Sequence, residues 1–172
     1  MGKYCLPKVK INLKSKRVIL KTFILKNIDD LYIKWFDGKN EVLKYSRHYK
    51  KKYPRSLLIK NFINFKSYTF FIGIFDKKSN NLIGTMIATE MKGLKLNIGI
   101  LIGHSDYFSK GYAYESIELF IKYVFKKKKY KSVIFGTDKK NISMINLAKK
   151  FKVTKKLSNY NSKVIYELRN IN

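Results

Sequence analysis

What the sequence lacks narrows its reading first. A single cysteine, Cys5, allows no internal disulfide and no thiolate metal site. With His48 and His104 as the only imidazoles and no H-E-x-x-H spacing, neither a structural nor a catalytic zinc is expected. No apolar run reaches the roughly 18 residues a membrane span needs. The first residues show no apolar stretch leading to a small-residue cleavage site, so a cytoplasmic protein without membrane partners is expected. "MGKYCL" offers Gly2 for myristoylation, but Leu6 stands where Ser or Thr is required, and no lipid anchor is expected.

Acidic residues are also scarce: 11 Asp plus Glu face 38 Lys plus Arg, a net charge of +27. Such an imbalance suggests a polyanionic partner. The excess is nearly all lysine, however, and accompanies abundant Ile and Asn, the pattern of an A+T-rich coding bias. Nucleic-acid readers lean instead on the arginine fork. Nucleic acid is therefore a weaker expectation than a smaller anion, which the lysines attract whatever their origin. The lysine run at 126–129 reads as a solvated helix end that complements the negative pole of its dipole.

What is present describes one packed domain, residues 1–172 with a core over about 17–169. Hydrophobic residues make up 45% and aromatics 15% of the 172 residues, far above what disordered chains carry. Residues 17–25, RVILKTFIL, read as a strand. In KNIDDLYIKWFDG, Asn27 is a plausible cap, and Ile28, Leu31, Tyr32 and Trp35 fall at helical spacing before Gly38. A short helix is expected over 40–47, and Pro54 suits the first position of another, PRSLLIKNFIN. SYTFFIGIFD, NLIGTMIATEM and LKLNIGILIGH read as three strands of an antiparallel meander, the first two joined by KKSNN. The period then changes: Ile117, Phe120, Ile121, Val124 and Phe125 share one helical face. KSVIFGT follows as a strand, and a strand-helix-strand order implies parallel pairing through a right-handed crossover. A helix in NISMINLAKKF and strands around 152–157 and 161–169 complete an α+β chain with a mixed, mostly antiparallel sheet flanked by helices.

The junction YFSKGYAYES, residues 107–116, places Lys110, Gly111 and Ala113 among aromatics where a strand gives way to a helix. The first turn of a helix has amides without intrahelical partners and a positive dipole end, so an anion is stabilised there. Gly111 lets a bulky phosphate approach the backbone, and Ala113 keeps the turn narrow. Neither G-x-G-x-x-G nor G-x-x-x-x-G-K-[ST] occurs, so this is not a dinucleotide fingerprint or a nucleotide P-loop. A tight turn without a ligand remains the alternative on these residues alone.

IGILIGHSDYFSKGYAYESIELFIKYVF, followed by NISMINLAKKF, resembles the GNAT superfamily of acyl-CoA-dependent N-acetyltransferases. It is similar in particular to the branch that includes ribosomal-protein N-terminal and amino-sugar-nucleotide acetyltransferases. The family's pyrophosphate motif, Q/R-x-x-G-x-G/A, falls on Phe108, Ser109, Lys110, Gly111, Tyr112 and Ala113. Gly111 and Ala113 match, Phe108 departs, and Glu115 stands where the branch often has Glu. LYIKWFDGKNEVLKY resembles the branch's early helix, and NLIGTMIA its third strand, so the likeness covers about residues 17–155. Lys152 and Val153 replace the Gly-Phe pair that often ends the last helix. Ala148 stands where many members keep an acid tyrosine.

The resemblance implies acetyl-CoA as co-substrate, no metal, and an amine acceptor that can itself be anionic, on a monomer or homodimer. It implies that the pantetheine arm pairs with the backbone of Leu101, Ile102 and Gly103, and that Asn141 contacts the arm. The pyrophosphate would rest on the 108–113 amides, and an N–H near Ile102 would stabilise the oxyanion. Since an alkyl ammonium of pKa about 10.4 is not a nucleophile, a base is sought. Glu90 and His104 are the catalytic candidates, while Asp106 reads as a turn stabiliser. The early helices and their loop usually shape acceptor choice, which singles out Tyr45, Arg47 and His48 in KYSRHYKKKYPRS. A nucleotide-linked amino sugar, another small amine and a protein N-terminus stay open as acceptors. So does a basic nucleic-acid-binding or nucleic-acid-modifying protein on the same fold.

Overall fold

A computed structural model describes residues 9–39, 41–46, 48–64, 69–127, 130–151, 154–157 and 162–170. At its centre lies the expected meander of β3 (Phe70–Asp76), β4 (Leu82–Met91) and β5 (Lys95–Ile102). All seven residues of β3 are buried, so the sheet is covered on both faces. Alternation along the strand divides them: Phe70, Ile72 and Ile74 join one core, Phe71 and Phe75 the other.

The first core is closed by α3 (Tyr112–Lys127), whose Ile117, Phe120, Ile121 and Val124 are buried against it as their spacing predicts. Phe120 meets Phe70 edge to face at 5.2 Å. The second is closed by α1 (Asp30–Lys34) and α2 (Arg55–Asn64), with Tyr32, Trp35 and Leu58 turned inward.

Eight strands form one sheet in the order β1-β2-β3-β4-β5-β6-β8-β7, with β1 at Asn12–Lys14, β2 at Val18–Thr22, β6 at Ser132–Asp138, β7 at Thr154–Leu157 and β8 at Lys163–Arg169. Every pairing is antiparallel except β5 with β6, which brackets the α3 crossover. That parallel pairing is short. It runs from Lys95↔Ser132 to Ile98↔Phe135, after which the strands part. Beyond that point β5 stays paired with β4 as far as Ile102↔Gly84, and β6 with β8 as far as Asp138↔Lys163. The sheet therefore opens into a notch between Gly99–Ile102 and the end of β6.

Some local expectations are corrected. The first strand stops at Thr22, and a further strand, β1, precedes it. Asn27 does not cap α1: its Oδ1 accepts from Ile24 N (2.9 Å) inside a 3-10 turn, and Asp29 caps the helix by accepting from Tyr32 N (2.9 Å). The helix expected over 40–47 is a 3-10 turn, Glu41–Leu43; residues 40 and 47 lie outside the described set. α4 (Ile142–Lys149) forms as expected, whereas Lys152 and Val153 lie outside the described residues.

Candidate active site

The notch has a definite polarity. Successive residues of a strand present their N–H and C=O to opposite edges. Gly103 N donates to Ile83 O of β4 (3.0 Å), while Leu94 O accepts from Lys131 N on the β6 side (2.8 Å). Even-numbered residues of β5 thus face β6, and past the last paired position these are Ile100 and Ile102. Their amide groups point into the notch with no strand opposite among the described residues. Across it, a Cβ on Gly136 of β6 would meet nothing within 4 Å. An extended chain can hydrogen-bond to such an edge as an added strand.

Of the three residues expected to pair with that arm, Ile102 presents its amide group to the notch, while Leu101 lies on the same stretch with its backbone groups turned to β4. Gly103 is likewise turned to β4, its N–H engaged by Ile83 O. Its lack of a side chain has a packing cause: a Cβ there would overlap the ring of Trp35. Asn141 is the N-cap of α4, with Oδ1 accepting from Met144 N (3.2 Å), which leaves its NH2 group to donate.

At the mouth of the notch, a 3-10 turn (Ser105–Tyr107) leads through an exposed loop to the N-terminus of α3. Ser109 (φ 57°) and Gly111 (φ 83°) both adopt left-handed backbone there. Phe108 N donates to Ser105 O (3.0 Å), so that residue adds no free amide. Ser109, Lys110, Gly111, Tyr112 and Ala113 lie at the start of α3.

Behind this loop is a cluster that sequence reading did not assemble. Glu115 Oε1 accepts from Ser15 Oγ and from Arg17 N, and Oε2 from Arg17 Nε, each at 2.7 Å. Arg17 Nη1 donates to Lys110 O (2.9 Å), and the guanidinium carbon lies 4.6 Å from the centre of the Tyr112 ring. Burial opposes the charge on Glu115, but the hydrogen bonds from Ser15 and Arg17 outweigh it and hold the carboxyl below its ordinary value. Tyr112 donates to Asp76 Oδ1 (3.2 Å); burial, then the Asp76 charge, pushes the phenol up.

On the other face of β4 and β5 lies a cavity of about 770 Å3. Its walls are aromatic, with Tyr32, Phe36, Tyr53, Phe62 and Phe71 among them, and it extends to Thr85 of β4 and to Gly99, Ile100 and Leu101 of β5. Tyr45 and His48, two of the acceptor candidates, line it, while Arg47 lies outside the described residues. His48 Nδ1 is 2.8 Å from Tyr53 Oη, and Lys51 brings the cation among the lining side chains. No Asp or Glu lines it among the described residues.

The expected bases are placed elsewhere. Glu90 pairs with Leu96, toward the hairpin end of β4, whereas the cavity reaches Thr85, opposite Leu101. Its carboxylate accepts from Tyr130 Oη (3.3 Å), whose phenol burial and then the Glu90 charge push up to about 12. His104 follows β5 but does not line the cavity; its ring meets Tyr107 edge to face at 5.2 Å, and its buried Nδ1 has no partner among the described residues. Asp106 is exposed within the 3-10 turn. Ala148 is fully buried in the first core.

The fold is a mixed sheet that parts after a parallel crossover, with a helix start at the opening. Residues 17–154 match the model of the acetyltransferase (GNAT) domain family, and the chain belongs to that family. It is thus an N-acetyltransferase, and members of this family use acetyl-CoA as co-substrate. No match is found among curated protein sequences.

Solved structures share the fold. The GNAT-family acetyltransferase from Bacillus anthracis superposes with a TM-score of 0.75 at 19% identity, over 92% of this chain and 98% of that one. A probable GNAT-family acetyltransferase from Chromobacterium violaceum gives 0.78 at 12% identity, over 98% and 92%. Apo FdhC, described as a nucleotide-linked sugar GNAT, gives 0.75 at 17% identity, over 94% and 91%. Among the described residues no group of three or more His, Cys, Asp or Glu side chains is placed to hold a metal, and no helix is long and apolar enough to cross a membrane.

Proposed function

We propose that the protein transfers the acetyl group of acetyl-CoA to a primary amine whose body occupies the aromatic cavity. One observation carries this reading: Gly99, Ile100 and Leu101 line that cavity and also belong to the part of β5 that has no partner on its β6 side among the described residues. A thioester paired with the open edge would meet an amine in the cavity at the same strand. The amides of Ile100 and Ile102 are the donors available to the oxyanion that forms on attack. Ser109 to Ala113 would receive the pyrophosphate through backbone N–H groups.

The cavity's lining selects the acceptor and handles its proton. With aromatic walls, Lys51, and no carboxylate to hold a second cation, it suits an amine joined to a ring system and an anionic group. A nucleotide-linked amino sugar has that chemistry, and the reading is supported by FdhC, a structural neighbour described as a nucleotide-linked sugar GNAT. Before attack, the acceptor's ammonium gives its proton to Tyr53 Oη as the phenolic proton passes to His48 Nδ1, leaving an imidazolium and a neutral, nucleophilic amine. Expulsion of the thiolate needs no tyrosine acid, since a thiol of pKa about 8.5 is a tolerable leaving group near neutrality.

The test has two stages. Acetyl-CoA at a hundredfold excess over its Kd should stabilise the protein by about 2.7 kcal/mol in thermal unfolding. Free CoA is then measured with amino-sugar nucleotides, polyamines and peptide N-termini as acceptors, and the first group should be preferred. Absence of stabilisation by acetyl-CoA would overturn the donor assignment, and preference for peptides would replace the acceptor.

A further inference from the structure

The cluster behind the loop at the start of α3 fixes the orientation of one peptide plane in that loop. A trans peptide is planar, with its C=O and N–H pointing to opposite sides. Holding the Lys110 carbonyl therefore sets the direction of the Gly111 amide in the same plane. Arg17 Nη1 holds that carbonyl at 2.9 Å, from the strand side of the loop. The Gly111 N–H is thereby aimed away from Arg17.

Arg17 is itself immobilised. Its Nε and backbone N both bond to Glu115, one turn into α3, and its guanidinium rests against Tyr112. Glu115 is 14% exposed and Arg17 41%, so the pair is partly shielded from water and the fork is fixed in one orientation. Gly111 fits the same arrangement: at φ 83° a Cβ would lie 3.3 Å from Arg17 Nη2, so a side chain would press on the fork that orients the loop.

We propose that Arg17 is a positioning residue for the donor site. By fixing the Lys110 carbonyl through a guanidinium anchored on Glu115, it presents the Gly111 amide to the pyrophosphate of acetyl-CoA. This rests on the donor assignment made above. Arg17 acts from behind the loop, through Lys110, and does not itself bind the diphosphate. A lysine cannot replace it, because one ammonium at the end of a flexible stem does not serve Glu115 and the Lys110 carbonyl in the same fixed geometry.

The experiment compares two thioesters. Acetyl-CoA carries the pyrophosphate and S-acetylpantetheine does not. Their Kd values are measured by calorimetry and by NMR titration, respectively, for the wild type, Arg17→Lys and Arg17→Met. Both variants should bind acetyl-CoA about tenfold or more weakly, with affinity for S-acetylpantetheine unchanged. Arg17→Lys keeps a cation near Glu115, and its unfolding temperature should lie close to the wild type's, so the loss is not one of folding. Unchanged acetyl-CoA affinity in Arg17→Lys overturns the proposal, and so does an equal loss for both thioesters, which would mark a general structural role. A wild type that binds S-acetylpantetheine and acetyl-CoA equally well overturns it at the pyrophosphate. A wild type that binds neither removes the donor assignment as well.

Discussion

At the scale of the residue, Glu115 shows how hydrogen bonding can outweigh desolvation. Burial alone would raise its carboxyl, yet three donors at 2.7 Å bring it below its ordinary value. A carboxyl lowered on folding contributes stability that is complete above its unfolded value of about 4.3 and is lost as pH falls through the folded value. The unfolding temperature of Glu115→Gln should therefore lie below the wild type's at neutral pH. That gap should close progressively below about pH 4.3. A gap independent of pH would mean that the carboxylate's charge is not what the cluster uses. Tyr53 allows a separate test, since Tyr53→Phe keeps the ring that meets Phe36 edge to face at 6.2 Å and removes only the hydroxyl beside His48. Loss of general base catalysis should lower kcat by about a hundredfold, with acetyl-CoA affinity and unfolding temperature unchanged. Full activity in Tyr53→Phe would remove the relay and leave the amine to lose its proton to water.

At the scale of the element, the notch depends on where the parallel pair ends, and its closed end is pinned by Glu167. This buried carboxylate accepts from Lys95 Nζ and Ser132 Oγ, both at 2.9 Å, and so ties β8 to the first residues of β5 and β6. The Lys95 hydrogen bond is the main cause that holds its carboxyl low, helped by Ser132. Glu167→Ala leaves the ammonium and the hydroxyl unsatisfied, and should cost about 1–3 kcal/mol in urea unfolding. Acetyl-CoA affinity should hold, because Gly99–Ile102 lie beyond the paired residues; a large loss of affinity would show that the opening is not independent of its anchor. The sequence made legible those elements whose signal is local: alternation in β3 to β5, the apolar face of α3, and the small residues at its start. It could not reveal where β5 and β6 stop pairing, nor that Glu90 lies toward the hairpin end of β4 and outside the cavity lining. The Arg17–Glu115 contact was invisible for a related reason, since it joins residues 98 positions apart that only the folded sheet brings together. β1, three residues long, carries too few alternations to register as a strand.

At the scale of the whole molecule, the net charge of +27 must act on any polyanion that approaches, even if codon bias put the lysines there. Two kinds of binding can be told apart by salt. Attraction spread over the surface speeds encounter and is screened beyond a Debye length of about 8 Å at physiological ionic strength. Bonds from backbone amides at the start of α3, where the proposed donor site places the pyrophosphate, would form at contact and be screened far less. The association rate of acetyl-CoA, followed by stopped flow, should therefore fall by about tenfold between 10 and 150 mM salt, with the dissociation rate little changed. RNA offers a contrast, because its affinity would come from neutralised phosphates alone and would fall along a steep log-log line with salt. RNA should thus compete with acetyl-CoA at low ionic strength and cease to do so near physiological salt. If RNA binding instead survived at 150 mM, the lysines would have to form an organised interface, and the acceptor would be sought among nucleic acids. If acetyl-CoA association were indifferent to salt, the positive field would have no part in capturing the donor, and affinity would rest on the loop alone.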